Sequence, residues 1–175
     1  MNPNTHFVEL SIPTRDGLFL ARYSENGLTE LDFPNGRAEL PLGQAARQRS
    51  PTKQNSVPVK IRVWHRATES TLKNILAGRK PKNLPPLDLA GTEFQKSVWS
   101  ALRKISLGKT KSYGEIARAI GRPKAVRAVG GACGANPVPV LVPCHRVLAA
   151  NKKLGGFSGG LDWKRKLLAQ ESVII

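Results

Sequence analysis

The sequence predicts an α+β protein: a small N-terminal domain with a three-stranded antiparallel sheet and a helix, then a mainly helical C-terminal domain with a helix-turn-helix. Three observations carry that reading. Short extended segments set between turn residues open the chain, apolar residues fall at helical spacing from Val63 onward, and a proline-rich stretch at 80–88 separates the two halves. The boundary is therefore expected between residues 1–86 and 87–175.

The opening segments are His6 to Ile12, Leu18 to Ser24 and Leu28 to Phe33. Turn residues at Pro13 to Gly17 and Glu25 to Gly27 divide them, which gives an antiparallel meander. The stretch from about 34 to 58 is polar, basic and poor in large apolar residues, so it reads as a long mobile loop. Val63, Ala67, Leu72, Ile75 and Leu76 share one helical face over 63–77, closed by Gly78. Pro81, Pro85 and Pro86 stiffen the connector that follows.

In the second half Thr92 caps a helix reaching roughly Ile105, with Phe94, Val98, Leu102 and Ile105 on its buried side. The chain turns through Gly108. Ser112 then caps a helix from Tyr113 to Ile120, with Ile116, Ala117 and Ile120 inward. Gly121-Arg122-Pro123 breaks it, and a third helix is expected from Lys124 to about Ala132. Two short helices about a glycine-containing turn are a helix-turn-helix signal. The last of these helices carries only small or slim side chains, Ala125, Val126, Ala128, Val129, Gly130, Gly131 and Ala132, with Arg127 as its one long interior residue. Such a surface lets a backbone come close to a partner while one arginine reaches past it. A narrow DNA groove is one such partner; a tightly packed helix is the other.

Charge favours the groove. Lys and Arg number 28 against 12 acidic residues, a net +16 in a chain of 175. The excess is uneven: 15 basic and 4 acidic residues from Gly91 onward, 13 and 8 before it. A basic half-chain points to a polyanion, nucleic acid first. No apolar run is long enough to cross a bilayer, and the N-terminus lacks the features of a secretion signal. Two cysteines, Cys133 and Cys144, imply no disulfide scaffold, so a reducing intracellular compartment is expected.

Cys144 ends the apolar run Val138-Pro139-Val140-Leu141-Val142-Pro143. A buried cysteine is ordinarily a small hydrophobe, but His145 and Arg146 follow it directly, and neither belongs in an inert core. A thiol attacks only as thiolate, which a neighbouring base or positive charge favours.

The run Pro143-Cys144-His145-Arg146-Val147, with Asn136-Pro137 and Arg127-Ala128-Val129-Gly130 before it, closely resembles the 6-O-methylguanine-DNA methyltransferases. The match extends through Phe94, Val98-Trp99, Gly108-Lys109-Thr110, Ser112-Tyr113 and Pro123-Lys124-Ala125 to Gly159-Gly160-Leu161 and Glu171, about half the chain. Residues 1–86 match only in layout, as the family's variable, ribonuclease H-like N-terminal domain. The resemblance implies DNA repair by irreversible, single-turnover transfer of a methyl or other alkyl group. The donor would be 6-O-alkylguanine, and also 4-O-alkylthymine, in double-stranded DNA; the acceptor would be Cys144.

By the same resemblance, His145 takes the thiol proton through a bound water and Glu171 orients and charges that histidine. Asn136 hydrogen-bonds the turn between recognition helix and active-site strand. Tyr113 donates to the guanine ring and crowds the phosphate so that the nucleotide rotates, and Arg127 fills the vacancy in the stack. Backbone groups at Cys144, Val147 and Ser158 read the guanine edge, and Phe157 packs on the base. Ser112, Tyr113, Lys124, Ala125, Arg127, Ala128 and Gly130 contact DNA. The chemistry itself requires flipping, because a buried thiol cannot reach an atom inside a duplex.

No cofactor and no metal are expected; the N-terminal half has no cysteine and only His6 and His65, which fall short of a four-ligand zinc site and read as surface residues. The partner is duplex DNA carrying alkylated guanine, bound by a monomer without a membrane or an obligate protein partner. The setting would be the cytoplasm and nucleoid of a prokaryote or the nucleus of a eukaryote. Two departures stand out: Phe157 where many relatives carry tyrosine, and Gly134 where some carry arginine. Cys133 is expected to pack in the core. A helix-turn-helix regulator with an incidental thiol is the rival reading, predicting sequence-specific binding and tolerance of Cys144→Ser. A cysteine hydrolase lacks an oxyanion-hole motif.

Overall fold

The computed structural model describes residues 7–34 and 57–175. His6 and most of the expected 34–58 loop lie outside the described residues. Three strands, β1 (Val8–Thr14), β2 (Gly17–Tyr23) and β3 (Leu28–Asp32), form an antiparallel sheet in the order β1-β2-β3. The pleat sends Leu10 and Ile12 of β1, Phe19, Ala21 and Tyr23 of β2, and Leu28 and Leu31 of β3 into the core. Arg22 faces outward, bonded to Glu9 at 3.1 Å and to Glu30. β1 runs two residues past the expected end and includes Pro13, which an edge strand tolerates.

Helix α1 (Val59–Leu76) begins four residues earlier than the apolar spacing suggested, directly after Pro58. Its buried side is Ile61, Thr68, Thr71, Leu72, Ile75 and Leu76, so the face is rotated from the expected one and Val63 is 59% exposed. The threonines misled the reading. Thr68 folds its hydroxyl back onto the Trp64 carbonyl at 2.8 Å and Thr71 caps the Asn83 carbonyl, so both enter the interior satisfied. His65 is not a bare surface residue either: its Nδ1 meets the Tyr23 hydroxyl at 3.1 Å.

The 80–88 stretch is extended as expected, but it is more than a tether. Leu87 bridges Leu28 in parallel, with Leu28 N–H donating to the Pro86 carbonyl at 2.8 Å and Asp88 N–H to the Leu28 carbonyl at 2.9 Å. On the same strand Leu31 N–H donates to the Pro137 carbonyl at 2.9 Å, so the β3 edge also touches the segment leading to Cys144.

Helices α2 (Glu93–Arg103), α3 (Tyr113–Ala119), α4 (Val126–Gly134) and α5 (Leu161–Gln170) build the rest. Thr92 and Ser112 each close a reciprocal capping box, with Gln95 and Glu115. α4 starts two residues later and ends two later than expected, because Pro123 and Lys124 remain in the turn. Its glycines do not stop it, since packing outweighs their weak propensity. Trp99 of α2 is buried and donates from its indole nitrogen to the Ala132 carbonyl at 2.8 Å, pinning α4. A two-residue parallel pair, β4 (Lys111–Ser112) with β5 (Val147–Leu148), joins the start of α3 to the residues just after Cys144.

The core is continuous from the sheet through α1 and α2 to the C-terminal segment. Phe33 is its hinge point: its ring lies 4.9 Å from that of Trp163 and 5.7 Å from that of Phe157. A Cβ at Gly159 would stand 2.5 Å from the Phe33 ring, so glycine is required for that approach.

Candidate active site

Cys144 opens a short 3-10 turn, Cys144–Arg146, that follows the buried run 138–143. That run is not a strand. It folds back on itself, with Val142 N–H donating to the Val138 carbonyl at 2.9 Å and Val140 at φ +74°, a conformation seldom taken by a β-branched residue. Asn136 holds the fold-back together. Its Oδ1 accepts from Val138 N–H at 3.1 Å, and its Nδ2 donates to the Val142 carbonyl at 2.8 Å and to the Cys144 sulfur at 3.1 Å. The asparagine thus brackets the turn and also touches the thiol.

Burial pushes the Cys144 thiol above its ordinary value, against the opposing pull of Asn136, Lys164 and nearby backbone N–H groups. The resting group is a thiol, only 3% exposed. Next to it His145 is fully enclosed, and burial holds its imidazole below the ordinary value despite Glu171. Its Nε2 lies 3.0 Å from Glu171 Oε1, while Nδ1 is buried without a partner. Since a carboxylate only accepts, Nε2 carries the proton and Nδ1 keeps a lone pair. Glu171 does pull the imidazole toward the charged form, as expected of it, but burial outweighs that pull.

Glu171 is the C-cap of α5, and it is the meeting point of the site. Arg146 donates through Nε to both its oxygens, at 3.1 and 2.9 Å, and through Nη2 at 2.8 Å; Gly108 N–H reaches Oε2 at 3.2 Å. Burial would raise the carboxyl, but the hydrogen bonds from His145 and Arg146 outweigh it and hold it at about 2. Arg146, expected only as a positive charge near the thiol, is the carboxylate's main partner.

Lys164 escaped the sequence reading. It is wholly buried, with its ammonium donating to the Val147 carbonyl at 2.7 Å and the Gly156 carbonyl at 3.2 Å. Burial lowers it to about 8, although the Cys144 and Cys133 thiols pull the other way. Its only sequence signal is a lysine on the inward face of α5, three residues before Leu167.

Beside this cluster lies a cavity of about 710 Å³, walled by Tyr113, Val126, Arg127, Gly130, Gly131, Gly134, Ala135, Gly156, Phe157 and Ser158. Four predicted residues from three segments, Tyr113, Arg127, Phe157 and Ser158, thus face one space. Burial, with the two thiols nearby, raises the Tyr113 phenol to about 12, so it stays a donor. A Cβ at Gly155, which adopts φ +65°, would come within 2.9 Å of that hydroxyl. Ser158 Oγ is buried with no partner. Phe157 sits edge-on to His145 with ring centres 6.4 Å apart.

Other predicted positions fall differently. Val147 is buried in β5. The Ser112 hydroxyl is engaged in its capping box with Glu115. Lys124, Arg127 and Ala128 are exposed, Gly130 is half-buried, and Ala125 is the N-cap of α4 rather than part of it. Cys133 is buried in the core, where burial raises its thiol to about 12. Among the described residues no group of three His, Cys, Asp or Glu side chains could hold a metal, and no helix is long and apolar enough to cross a membrane.

An acid–histidine–arginine cluster beside a thiol, next to a cavity edged by a helix-turn-helix, falls in a class of DNA-binding domains: the family model described as the 6-O-methylguanine DNA methyltransferase DNA binding domain matches residues 93–173. The chain is 40% identical over 155 residues to the methylated-DNA–protein-cysteine methyltransferase of Methanosarcina acetivorans, covering 89% of this chain and 92% of the relative. It is 60% identical over 85 residues to the protein of that name from Mycolicibacterium paratuberculosis; that match spans 49% of this chain and about half the relative's length (52%). Among solved structures, Mycobacterium tuberculosis OGT in complex with DNA superposes with a TM-score of 0.72 at 36% identity, over 95% of this chain and 92% of that one. The chain belongs to the methylated-DNA–protein-cysteine methyltransferase family.

Proposed function

We propose that the protein is a DNA-repair alkyltransferase that binds double-stranded DNA and moves an alkyl group from 6-O-alkylguanine, and from 4-O-alkylthymine, to Cys144. The observation that carries this reading is the enclosed Cys144 thiol, 3.1 Å from the Asn136 amide and next in sequence to the His145–Glu171 pair, with a cavity walled by Arg127 and by Phe157, whose ring lies against His145. A regulator of transcription has no use for such an arrangement.

In the proposed reaction His145 accepts the Cys144 proton at Nδ1, directly or through one water, leaving the electron pair on sulfur. The thiolate attacks the alkyl carbon, the carbon–oxygen bond breaks, and its electrons return to the guanine. The base regains its keto form when a proton is delivered to the ring. Atoms balance: thiol plus alkylguanine gives thioether plus guanine. A carbon–sulfur thioether has no disulfide-like route back, so each molecule acts once, and no diffusible donor takes part.

Reaching a thiol this deep requires the base to leave the helix. Tyr113, Phe157 and the Ser158 hydroxyl would meet it in the cavity, and exposed Arg127 would occupy the gap in the stack. Lys124, Ala125, Ala128 and Gly130 would lie along the same DNA surface. Residues 1–86 and 87–175 are read as two domains sharing one core. The test is transfer of a radiolabelled methyl from duplex DNA to protein: the reading requires label on the protein to plateau at one per molecule, and repeated turnover or no transfer overturns it.

A further inference from the structure

The residues gathered at the end of α5 balance their charges only while His145 is neutral. Glu171 and Arg146 side chains are 0% and 9% exposed, and they pair through three contacts of 2.8 to 3.1 Å. Arg146 Nη1 is fixed by the Ile105 carbonyl at 2.6 Å, so the guanidinium cannot swing away. One cation, one anion and a neutral imidazole sum to zero. Protonating His145 would leave a net positive charge in an enclosed space, which is costly. Without Arg146 the count reverses: a neutral imidazole would stand beside an unpaired carboxylate, and a proton on His145 would restore neutrality.

We propose that Arg146 is a positioning residue that keeps His145 uncharged, and so able to accept the Cys144 proton, by engaging the Glu171 charge that would otherwise draw a proton onto the imidazole. This rests on the reading of His145 as the base for Cys144. The unpartnered, buried Nδ1 is the lone pair that this arrangement preserves.

The other groups around His145 do not take over that role. Lys164 of α5 also disfavours a charged imidazole, but it bonds to the Val147 and Gly156 carbonyls and leaves Glu171 untouched. Cys144 is a neutral thiol at rest. From α2, which packs on the same turn, Arg103 and Lys104 are exposed at the mouth of a cavity that Arg146 also lines.

The test uses the full chain in four forms: wild type, Arg146→Gln, Arg146→Lys and the double variant Arg146→Gln/Glu171→Gln. Two quantities are read: the His145 titration midpoint by ring-nitrogen NMR, and the single-turnover rate of Cys144 benzylation by free 6-O-benzylguanine against pH. Arg146→Gln should raise the midpoint by a unit or more and move the rising limb of the rate profile with it. On the acid side of the wild-type midpoint about tenfold is then lost, since there one unit is a tenfold change in neutral imidazole, and the loss is regained at pH well above the shifted midpoint. Arg146→Lys should keep the midpoint low, and the double variant, again balanced, should return it there.

A uniform rate loss at every pH with an unmoved midpoint would mean that Arg146 is merely structural. If Arg146→Gln fails to fold, a raised midpoint in the double variant or in Arg146→Lys overturns the proposal, and low midpoints in both uphold it. Failure of the underlying reading looks different: wild type takes no benzyl group, or reacts at a rate indifferent to His145 titration, while the NMR midpoints still report what Arg146 does.

Discussion

One amide of Asn136 serves both the Cys144 sulfur, at 3.1 Å, and the Val142 carbonyl, at 2.8 Å. The bond that could steady a thiolate and the bond that fixes the turn in front of it therefore come from the same nitrogen. Position and reactivity of the sulfur cannot be changed independently at this residue.

Asn136→Ala removes both bonds and also leaves Val138 N–H without its partner. The expected outcome is a loss of about 2–3 kcal/mol in urea unfolding, with benzylation of Cys144 slowed at least tenfold. A variant as stable as wild type would mean that the turn is held by its apolar packing alone.

Glu171→Gln breaks a buried ion pair and strands the Arg146 charge, so a deficit of roughly 3 kcal/mol is expected at neutral pH. The folded carboxyl sits at about 2, below its unfolded value of roughly 4.3. Its contribution is present above the unfolded value and is lost as pH falls through the folded one. The deficit should thus be flat above about pH 5 and narrow between roughly 4.3 and 2. Slower alkylation should accompany it; an unchanged rate removes Glu171 from the proposed relay.

Lys164 gives a slope of the same sign, although here folding disfavours the charged form. Its folded value of about 8 lies below the unfolded value of roughly 10.4, so between these the unfolded chain holds more protons. Stability of wild type relative to Lys164→Met should rise across that window, on the order of 1–3 kcal/mol. A difference independent of pH from 7 to 10.5 would show the ammonium at its ordinary value.

Arg127→Ala should separate two activities. Repair of duplex DNA is expected to fall tenfold or more, whereas reaction with free 6-O-benzylguanine stays within about twofold, because the free base needs no flipping. Equal losses on both substrates would argue against a role in the base stack.

Much of this molecule can be read from its residues, unevenly. The meander followed from the turn residues, and α2 and α3 from the N-caps Thr92 and Ser112, because those signals are local. The buried face of α1 differs from the apolar spacing because Thr68 and Thr71 hide their hydroxyls in backbone bonds, which no apolar pattern reports. The site residues came from the family resemblance around Cys144, which also paired His145 with Glu171 but left the other partners unnamed. Pairing of Arg146 with Glu171 spans 25 residues, and Lys164 reaches across 17 to the Val147 carbonyl. Contacts at such separation depend on how the C-terminal helix docks. Phe33 likewise read as the end of a strand, whereas its ring joins Trp163 and Phe157.

The most direct measurement is intact and peptide mass spectrometry of the reduced protein after incubation with duplex DNA carrying one 6-O-methylguanine. The account predicts a gain of one methyl group per molecule, on the peptide containing Cys144, and none in Cys144→Ser. An unmodified Cys144 beside fully bound lesion DNA, or methyl on Cys133 instead, would contradict it.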